Sequence, residues 1–458
     1  MATAKDVLKI NIIGAGYVGL TTGLALSYLG HKVSCVDKNK EIVEKLQRKE
    51  PVIHEQGLQE LLQEVGDRIN FTTRLEEAGP ADVFIIAVGT PAKENGDADL
   101  SYVEASAREI GELLQENHSC VVVNKSTVPI GTARRVEAVI KATLARRGLE
   151  VDLAVASNPE FLREGAALKD TFYPDRIVVG AQDIKAFNVL RQMYAPILEQ
   201  TFVPPREAPR PQDYELPAFV TTSAASGELI KYAANTFLAM KISFINEFAG
   251  LAERVGADID EVARGIGLDK RIGHHFLAAG AGWGGSCFPK DTKAILHTGQ
   301  QYDYAMPLVE ATINVNKAQR RCMVEKLQAA LKVIRGHTVG VLGLSFKPNT
   351  DDLRDSPALE VIQYLLELGA LVKAYDPVAM GNCCKQFPEM EIEYAGSPLE
   401  LARGCDALVL ITDWEEFAYL DWDDVGRQMR QKVVVDGRNM LPRQKLEEKG
   451  FFYMGIGK

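Results

Sequence analysis

The segment KINIIGAGYVGLTTGLAL, Lys9 to Leu26, passes from a short β-branched apolar run through Gly14-x-Gly16-x-x-Gly19 into small residues with helical periodicity. Few local patterns restrict a fold so tightly: the run reads as a strand, a tight turn and a helix packed back on that strand. The next apolar run, HKVSCVDKN, is a second strand ending at Asp37, 23 positions after Gly14, and a charged amphipathic helix follows from about Lys40. Strand, fingerprint, helix, strand and acid in this order mark the first half of a dinucleotide-binding α/β fold. Ile10 to Gly30 carries no formal charge, but Gly14, Gly16, Gly19 and Gly23 and the polar Asn11, Thr21 and Thr22 make it a poor membrane span.

The alternation continues through ADVFIIAVGTP, SCVVVNKSTVPIGT, VDLAVASNPEF and DRIVVGA, each an apolar strand running into turn-forming residues. A proline-rich stretch, Pro204 to Pro217, reads as an extended connector or surface loop. The longest helical signal, from about Ala225 to Arg254, suits a helix that joins domains and builds a subunit interface. From Thr338 the opening pattern recurs in TVGVLGLSF, LVKAYDP, CDALVLITDW and KVVVDGRN. The expected architecture is α/β: two Rossmann-like, doubly wound parallel-sheet domains, 1–203 and 331–458, joined by a central helical domain, 204–330, that opens with the proline-rich connector. The second glycine turn, Gly340-x-x-Gly343, lacks the full fingerprint and need not hold a dinucleotide.

Composition narrows the function classes. A net charge of −10 argues against a nucleic-acid partner, while leaving room for a phosphorylated ligand held by a few placed cations. Seven irregularly spaced cysteines read as reduced thiols of a cytoplasmic protein, and without CxxC, HxxxH or HExxH no metal site is expected.

The candidate chemistry lies in the loops. Gly14, Gly16 and Gly19 permit the turn, the close approach to a pyrophosphate and the helix–strand packing, and Asp37 accepts from ribose hydroxyls while repelling the extra phosphate of NADP, so NAD is the expected cofactor. In GWGGSCFPKD, Cys287 stands just before a helix opened by Pro289, where the helix dipole and Lys290 favour thiolate. Glycines at 282, 284 and 285 are expected to let backbone approach a ligand. Asp291, four residues on, can orient a water or exchange a proton with the sulfur. Lys231 and Asn235 share one helical face and make an oxyanion clamp; a structural pairing of Lys231 with Glu228 is the alternative. Thr127 can hold a water or cap a helix, and Glu160 can serve as a general base.

Together NIIGAGYVG, KSTVPIGT, NPEFLREG with PDRIVVG, ELIKYAANTFLAMKISFINE, GWGGSCFPKD, GLSFKPNTDDLRDSP and VDGRN resemble the nucleotide-sugar 6-dehydrogenases, the UDP-glucose/GDP-mannose dehydrogenase family, over nearly the full length. The resemblance implies four-electron oxidation of a sugar C6 alcohol to a carboxylate, UDP-glucose to UDP-glucuronate, with two NAD per sugar. It implies a thiohemiacetal and then a thioester on Cys287, Lys231 and Asn235 at the oxyanions, Asp291 and Thr127 at the water, and Glu160 as base. It places Tyr17, Val18, Thr90, Pro91, Thr127, Lys290 and Arg354 on the cofactor. On the substrate it places Phe161, Leu162, Glu164, Lys231, Asn235, Gly284, Lys347 and Arg438, with Arg271 reaching across a homodimer. The chain departs from the pattern at Trp283, where many relatives carry phenylalanine near the sugar or uracil, and in the long Pro204–Pro217 segment. Other readings are the same chemistry on a UDP-N-acetylhexosamine, GDP-mannose or dTDP-glucose, a single-step hydroxyacid dehydrogenase, or an inactive nucleotide sensor. Relatives acting on N-acetylmannosamine typically read GGHC where this chain reads GGSC.

Overall fold

The computed structural model describes residues 7–93 and 96–458. The chain divides into two compact units at Ala233/Ala234. In the first, eight strands among the described residues form one sheet: β1 (Lys9–Ile13), β2 (Lys32–Val36), β3 (Ile69–Thr72), β4 (Val83–Ile86), β5 (Ser119–Asn124), β6 (Asp152–Ser157), β7 (Arg176–Ala181) and β8 (Ala218–Thr222). Their order is β3-β2-β1-β4-β5-β6-β7-β8. The order reverses between β1 and β4, which places a switch point at the glycine turn that follows β1.

The central strands are apolar throughout because helices cover both faces, and Ile10, Ile12, Val83, Ile85, Val121 and Val123 are fully buried. Each such side chain contributes about 1.5–3 kcal/mol relative to exposure. One pair breaks the expected parallel pattern: β7 runs antiparallel to β6. A parallel neighbour needs a crossover that carries the chain back along the sheet. The connection from Ser157 to Arg176 contains only the six-residue helix Ala167–Phe172, so β7 starts at the edge where β6 ends.

The proline-rich segment, expected to open the central domain, instead lies within the first unit, between the helix Ile184–Glu199 and β8. Tyr173 donates to the carbonyl of Ala208 at 2.8 Å, and Tyr214 donates to that of Pro174 at 2.8 Å. The rings of Tyr28, Phe172, Tyr173, Phe202 and Tyr214 pack together beneath it. It is a bonded strap on the sheet rather than a free linker.

The long helix, Ala224–Val255, begins in the first unit and ends in the second. The second unit continues with helices Ile259–Gly267, Phe288–Gln301 and Pro307–Leu331. It closes with β9 (Thr338–Leu342), β10 (Leu371–Tyr375), β11 (Ile392–Tyr394), β12 (Ala407–Leu410), β13 (Val433–Asp436) and β14 (Phe452–Met454), in the order β11-β10-β9-β12-β13-β14. Among the described residues no helix is long and apolar enough to cross a membrane. The uncharged run near the start is β1, its turn and the helix Tyr17–Tyr28.

The turn after β1 works only with glycine. Gly14 has φ +102°, and a Cβ there would lie 2.6 Å from the carbonyl oxygen of Ala87. A Cβ on Gly19 would overlap the carbonyl oxygen of Gly14, whereas one on Gly16 would meet no protein atom within 4 Å. Gly19→Ala should therefore destabilise the first unit by about 3 kcal/mol or more, because backbone cannot rotate out of the way, and Gly16→Ala by less than about 1 kcal/mol. Urea unfolding midpoints of the two variants check this; equal midpoints would show the packing argument to be wrong.

Candidate functional site

The opening at Gly16 defines a cradle. Gly16 is the N-cap of the Tyr17–Tyr28 helix and supplies no side-chain cap, so the first-turn N–H groups await an acceptor from outside that turn. Asp37 is fixed beside it, Oδ2 accepting from Ala15 N at 2.8 Å and Oδ1 from Asn39 N at 2.9 Å. Its carboxylate is half-buried and retains lone pairs for ribose hydroxyls. Lys38, which beside Asp37 weakens the preference for NAD, is paired with Glu109 at 2.6 Å. The residues fit a dinucleotide: a turn admitting backbone to pyrophosphate, a helix N-terminus for its charge and an acid for the ribose. Tyr17 donates to the carbonyl of His54 at 2.7 Å, and Thr90 donates to that of Thr127 at 2.8 Å, which ties the loops after β4 and β5 together.

A second cluster in the first unit brings together residues far apart in sequence. Lys231 Nζ lies 2.9 Å from Glu160 Oε1, with the two side chains only 4% and 8% exposed. The other oxygen of Glu160 accepts from Leu162 N at 2.7 Å. Phe161 is held between cations, with Arg176 3.9 Å and Lys231 5.5 Å from its ring centre. The alternative pairing of Lys231 with Glu228 does not form. Glu228 instead accepts from Gly131 N at 2.6 Å and Ala133 N at 2.8 Å, where the KSTVPIGT loop becomes the helix Thr132–Arg146. Burial pushes the Glu228 carboxyl up, against the pull of those two donors. Sequence reasoning missed Glu55, which caps the helix Ala167–Phe172 by accepting from Gly165 N and Ala167 N, both at 2.7 Å. An acid before Gly57 in a loop gives no local sign of such a reach. Glu164, next to that cap, is 8% exposed.

The thiol loop belongs to the second unit. Cys287 is the N-cap of the helix Phe288–Gln301, with Pro289 in its first turn, and its sulfur is half-buried 3.4 Å from Ser286 Oγ. Asp291 N donates to the carbonyl of Cys287 at 2.8 Å, so the helical turn that sets their spacing is formed. Asp291 is 1% exposed; Oδ2 accepts from Asn235 Nδ2 at 2.6 Å, and Oδ1 is bonded by Lys290. Lys290, expected to favour the thiolate, is bonded to that carboxylate.

The glycines of this loop also answer to close packing inside the protein. A Cβ on Gly282 would come 2.5 Å from Asn316 Oδ1, one on Gly284 would overlap the carbonyl oxygen of Asp355, and one on Gly285 would sit 2.6 Å from the Phe346 ring. Gly285 N also donates to the carbonyl of Arg354 at 2.9 Å. The space is therefore filled by the protein's own 346–355 segment and the Pro307–Leu331 helix. Trp283 likewise faces inward rather than a pocket. It is 6% exposed, and its indole N–H donates to Ser243 Oγ at 3.0 Å while its carbonyl accepts from Asn316 Nδ2 and Arg320 Nη2.

Arg438, Arg354 and Lys347 lie near the same loop. Arg438 donates through Nε to the carbonyl of Ile411 at 2.6 Å, and Ala281 N donates to the carbonyl of Gly437 at 2.8 Å. Arg354 forks onto Asp352, and Lys347 Nζ lies 5.6 Å from the Phe346 ring centre. Arg271 is 88% exposed and bonded to Asp269. Asp376, the acid after β10, is wholly buried and accepts from Leu344 N, Ser345 N, Val378 N, Ala379 N and Trp414 Nε1. No lone pair of it is left for a ribose, so the second sheet does not repeat the first one's dinucleotide site.

An open dinucleotide cradle on one sheet, a closed one on the other and a thiol at the start of a helix define an NAD-dependent dehydrogenase whose two α/β domains serve different ligands. The sequence matches three descriptions of one family in chain order: UDP-glucose/GDP-mannose dehydrogenase family, NAD binding domain over residues 8–198, central domain over 225–318, and UDP binding domain over 340–443. The chain belongs to the UDP-glucose/GDP-mannose dehydrogenase family. It is 47% identical to a UDP-glucose 6-dehydrogenase of Rhizobium meliloti, covering 98% of this chain and 100% of that one. It is 43% identical to one of Pseudomonas aeruginosa, covering 98% of each. Among solved structures, a UDP-glucose dehydrogenase from Pyrobaculum islandicum superposes with a TM-score of 0.88 at 40% identity, over 100% of this chain and 99% of that one.

Burial separates the thiols. It pushes Cys35, Cys120 and Cys405 up to about 12, which leaves on the order of one part in ten thousand or less as thiolate near neutral pH. Iodoacetamide at pH 7.5 should modify Cys287 and the exposed Cys384 in the folded protein and spare those three, as read by peptide mass mapping. Comparable labelling of any of the three would contradict the packing.

Proposed function

We propose that this chain oxidises C6 of UDP-glucose to the carboxylate of UDP-glucuronate through a covalent adduct on Cys287. The observation that carries the reading is the Cys287–Asp291 turn, its carboxylate locked by Asn235, in a chain that matches all three domains of the family in order. The names of its relatives at 43% and 47% identity support glucose as the sugar.

NAD, held by the Gly14–Gly19 turn and Asp37 with Tyr17, Val18, Thr90 and Pro91 around it, supplies the hydride acceptor, and two are consumed per sugar. Cys287 Sγ adds to the carbon of the C6 aldehyde. The C–S bond keeps this reactive intermediate from escaping between the two oxidations. After the second oxidation the adduct is a thioester. Water then adds to its carbonyl carbon, the C–S bond breaks, the thiolate returns and the carboxylate leaves. Lys231 and Asn235, four positions apart in one uninterrupted helix, donate to the oxyanion at each tetrahedral stage. Glu160 takes the proton of the attacking water, which Thr127 and Asp291 position. We assign Phe161, Leu162, Glu164 and Gly284 to the sugar, Lys347 and Arg438 to the UDP, and Lys290 and Arg354 to the cofactor side. The seven free cysteines suit the cytoplasm.

Two NADH should appear per UDP-glucose consumed, and Cys287→Ala should lose at least about a thousandfold in acid formation while still binding UDP-glucose in calorimetry. One NADH per sugar, or undiminished acid from the variant, would remove the covalent reading. A release screen across UDP-glucose, UDP-N-acetylglucosamine, GDP-mannose and dTDP-glucose tests the sugar.

We also propose a homodimer built on the long helix. Phe237, Phe244, Phe248, Leu251 and Val255 are 57%, 46%, 43%, 53% and 66% exposed, and their spacing puts them on one stripe. The exposed Arg271 would then complete the partner's substrate site. Leu251→Glu should yield monomers in sedimentation velocity and raise the KM for UDP-glucose, whereas an unchanged dimer would place the interface elsewhere.

A further inference from the structure

The loops bearing Thr127 and Glu160 leave neighbouring strands, β5 and β6, and both turn back into helices within the first unit. The helix Thr132–Arg146 has no side-chain cap of its own, because its N-cap is Gly131 with φ +96°. Glu228 supplies the missing acceptor from another element, one oxygen on Gly131 N and the other on Ala133 N. The side chain is 2% exposed, so these bonds are made out of water. One turn further along the same helix, Lys231 is bonded to Glu160. A single turn of the long helix thus grips both loops: Glu228 the end of the Thr127 loop, Lys231 the head of the Glu160 loop. Glu55 closes the far end of the Glu160 loop with the same two-pronged bond, but from a segment that carries none of the proposed chemistry.

We infer that Glu228 is a positioning residue for hydrolysis of the acyl group on Cys287. It sets Thr127 relative to Lys231 and Glu160, and both of its bonds go to the start of the Thr132–Arg146 helix rather than to the glycine turn. The inference rests on the roles given above to Cys287, Thr127 and Glu160. Losing its two bonds lets the Thr127 loop drift, so the attacking water is misplaced while both nucleotides still bind. The step affected is addition of water to the thioester carbonyl with cleavage of C–S; the earlier oxidations do not need that water.

Glu228→Gln keeps the shape and removes the charge and one acceptor. Expected are a loss of at least tenfold in kcat, dissociation constants for NAD and UDP-glucose within twofold of the parent, and a UDP-glucuronyl adduct on Cys287 visible by intact mass during turnover. In a Thr127→Ala background the same change should cost less than twofold more, because both substitutions act through one water. If the amide variant does not fold, Glu228→Asp, which retracts the charge by one methylene, carries the same readouts. A kcat within twofold of the parent, or a loss that adds fully to that of Thr127→Ala with no adduct, overturns the positioning role. If Thr127→Ala and Glu160→Gln both turn over like the parent, the reading of the site itself falls and this role with it. If they are slow and Glu228→Gln is not, the positioning role alone falls.

Discussion

Backbone N–H groups that emerge at the carboxyl ends of parallel strands and at helix starts must find acceptors once they leave water, and carboxylates answer most of that demand here. Glu228 takes two, Glu55 two, and Asp376 four together with an indole N–H. The first turn of the Tyr17–Tyr28 helix, with Gly16 as its N-cap, has no side-chain bond from that residue. The two sheets share the strand pattern β-turn-helix-β-acid, and they differ in what the acid does. Asp37 holds one turn amide and keeps capacity for a ligand, whereas Asp376 is covered by Trp414 and fully used. That difference makes one lobe a dinucleotide site, and the other lobe is the one that matches the family's UDP binding domain.

The thiol is fixed by exclusion as much as by bonding. Around Gly282, Gly284 and Gly285 the protein's own segments come so close that no side chain fits, and Trp283 is pinned through both its peptide groups and its indole. The proposed nucleophile, which would meet an aldehyde and later leave a thioester at the same carbon, gains from such a rigid mount, since small misplacements cost rate steeply. Indole instead of phenyl at 283 adds one buried hydrogen bond to Ser243, worth about 1 kcal/mol of further anchoring.

Much of this was legible in the chain. The glycine fingerprint, Asp37, the long helix and the Cys287–Asp291 turn carry local signals in periodicity, spacing and cap chemistry, and they stand where the sequence puts them. β3, β8, β11 and β14 escaped notice because they are short and mixed in polarity, lying at or near sheet edges where two-sided burial does not select an apolar run. The strap before β8 looked like a linker because proline content speaks for stiffness and says nothing about the tyrosines that bond it down. The glycines of the thiol loop were read as making room for a ligand. A sequence shows that space is needed there without showing what fills it. Pairings such as Lys231 with Glu160, or Glu228 with Gly131, join residues from separate strands and helices, and nothing near either partner announces the other.

The Lys231–Glu160 pair also bears on how two roles coexist. Removing either partner of a buried ion pair leaves the other uncompensated. Lys231 Nζ donates to Glu160, and in the proposed mechanism the same ammonium also serves the oxyanion. In the proposed reaction that oxygen gains charge at the thiohemiacetal and again when water adds to the thioester, so the one buried ammonium would be shared between two anions at both stages.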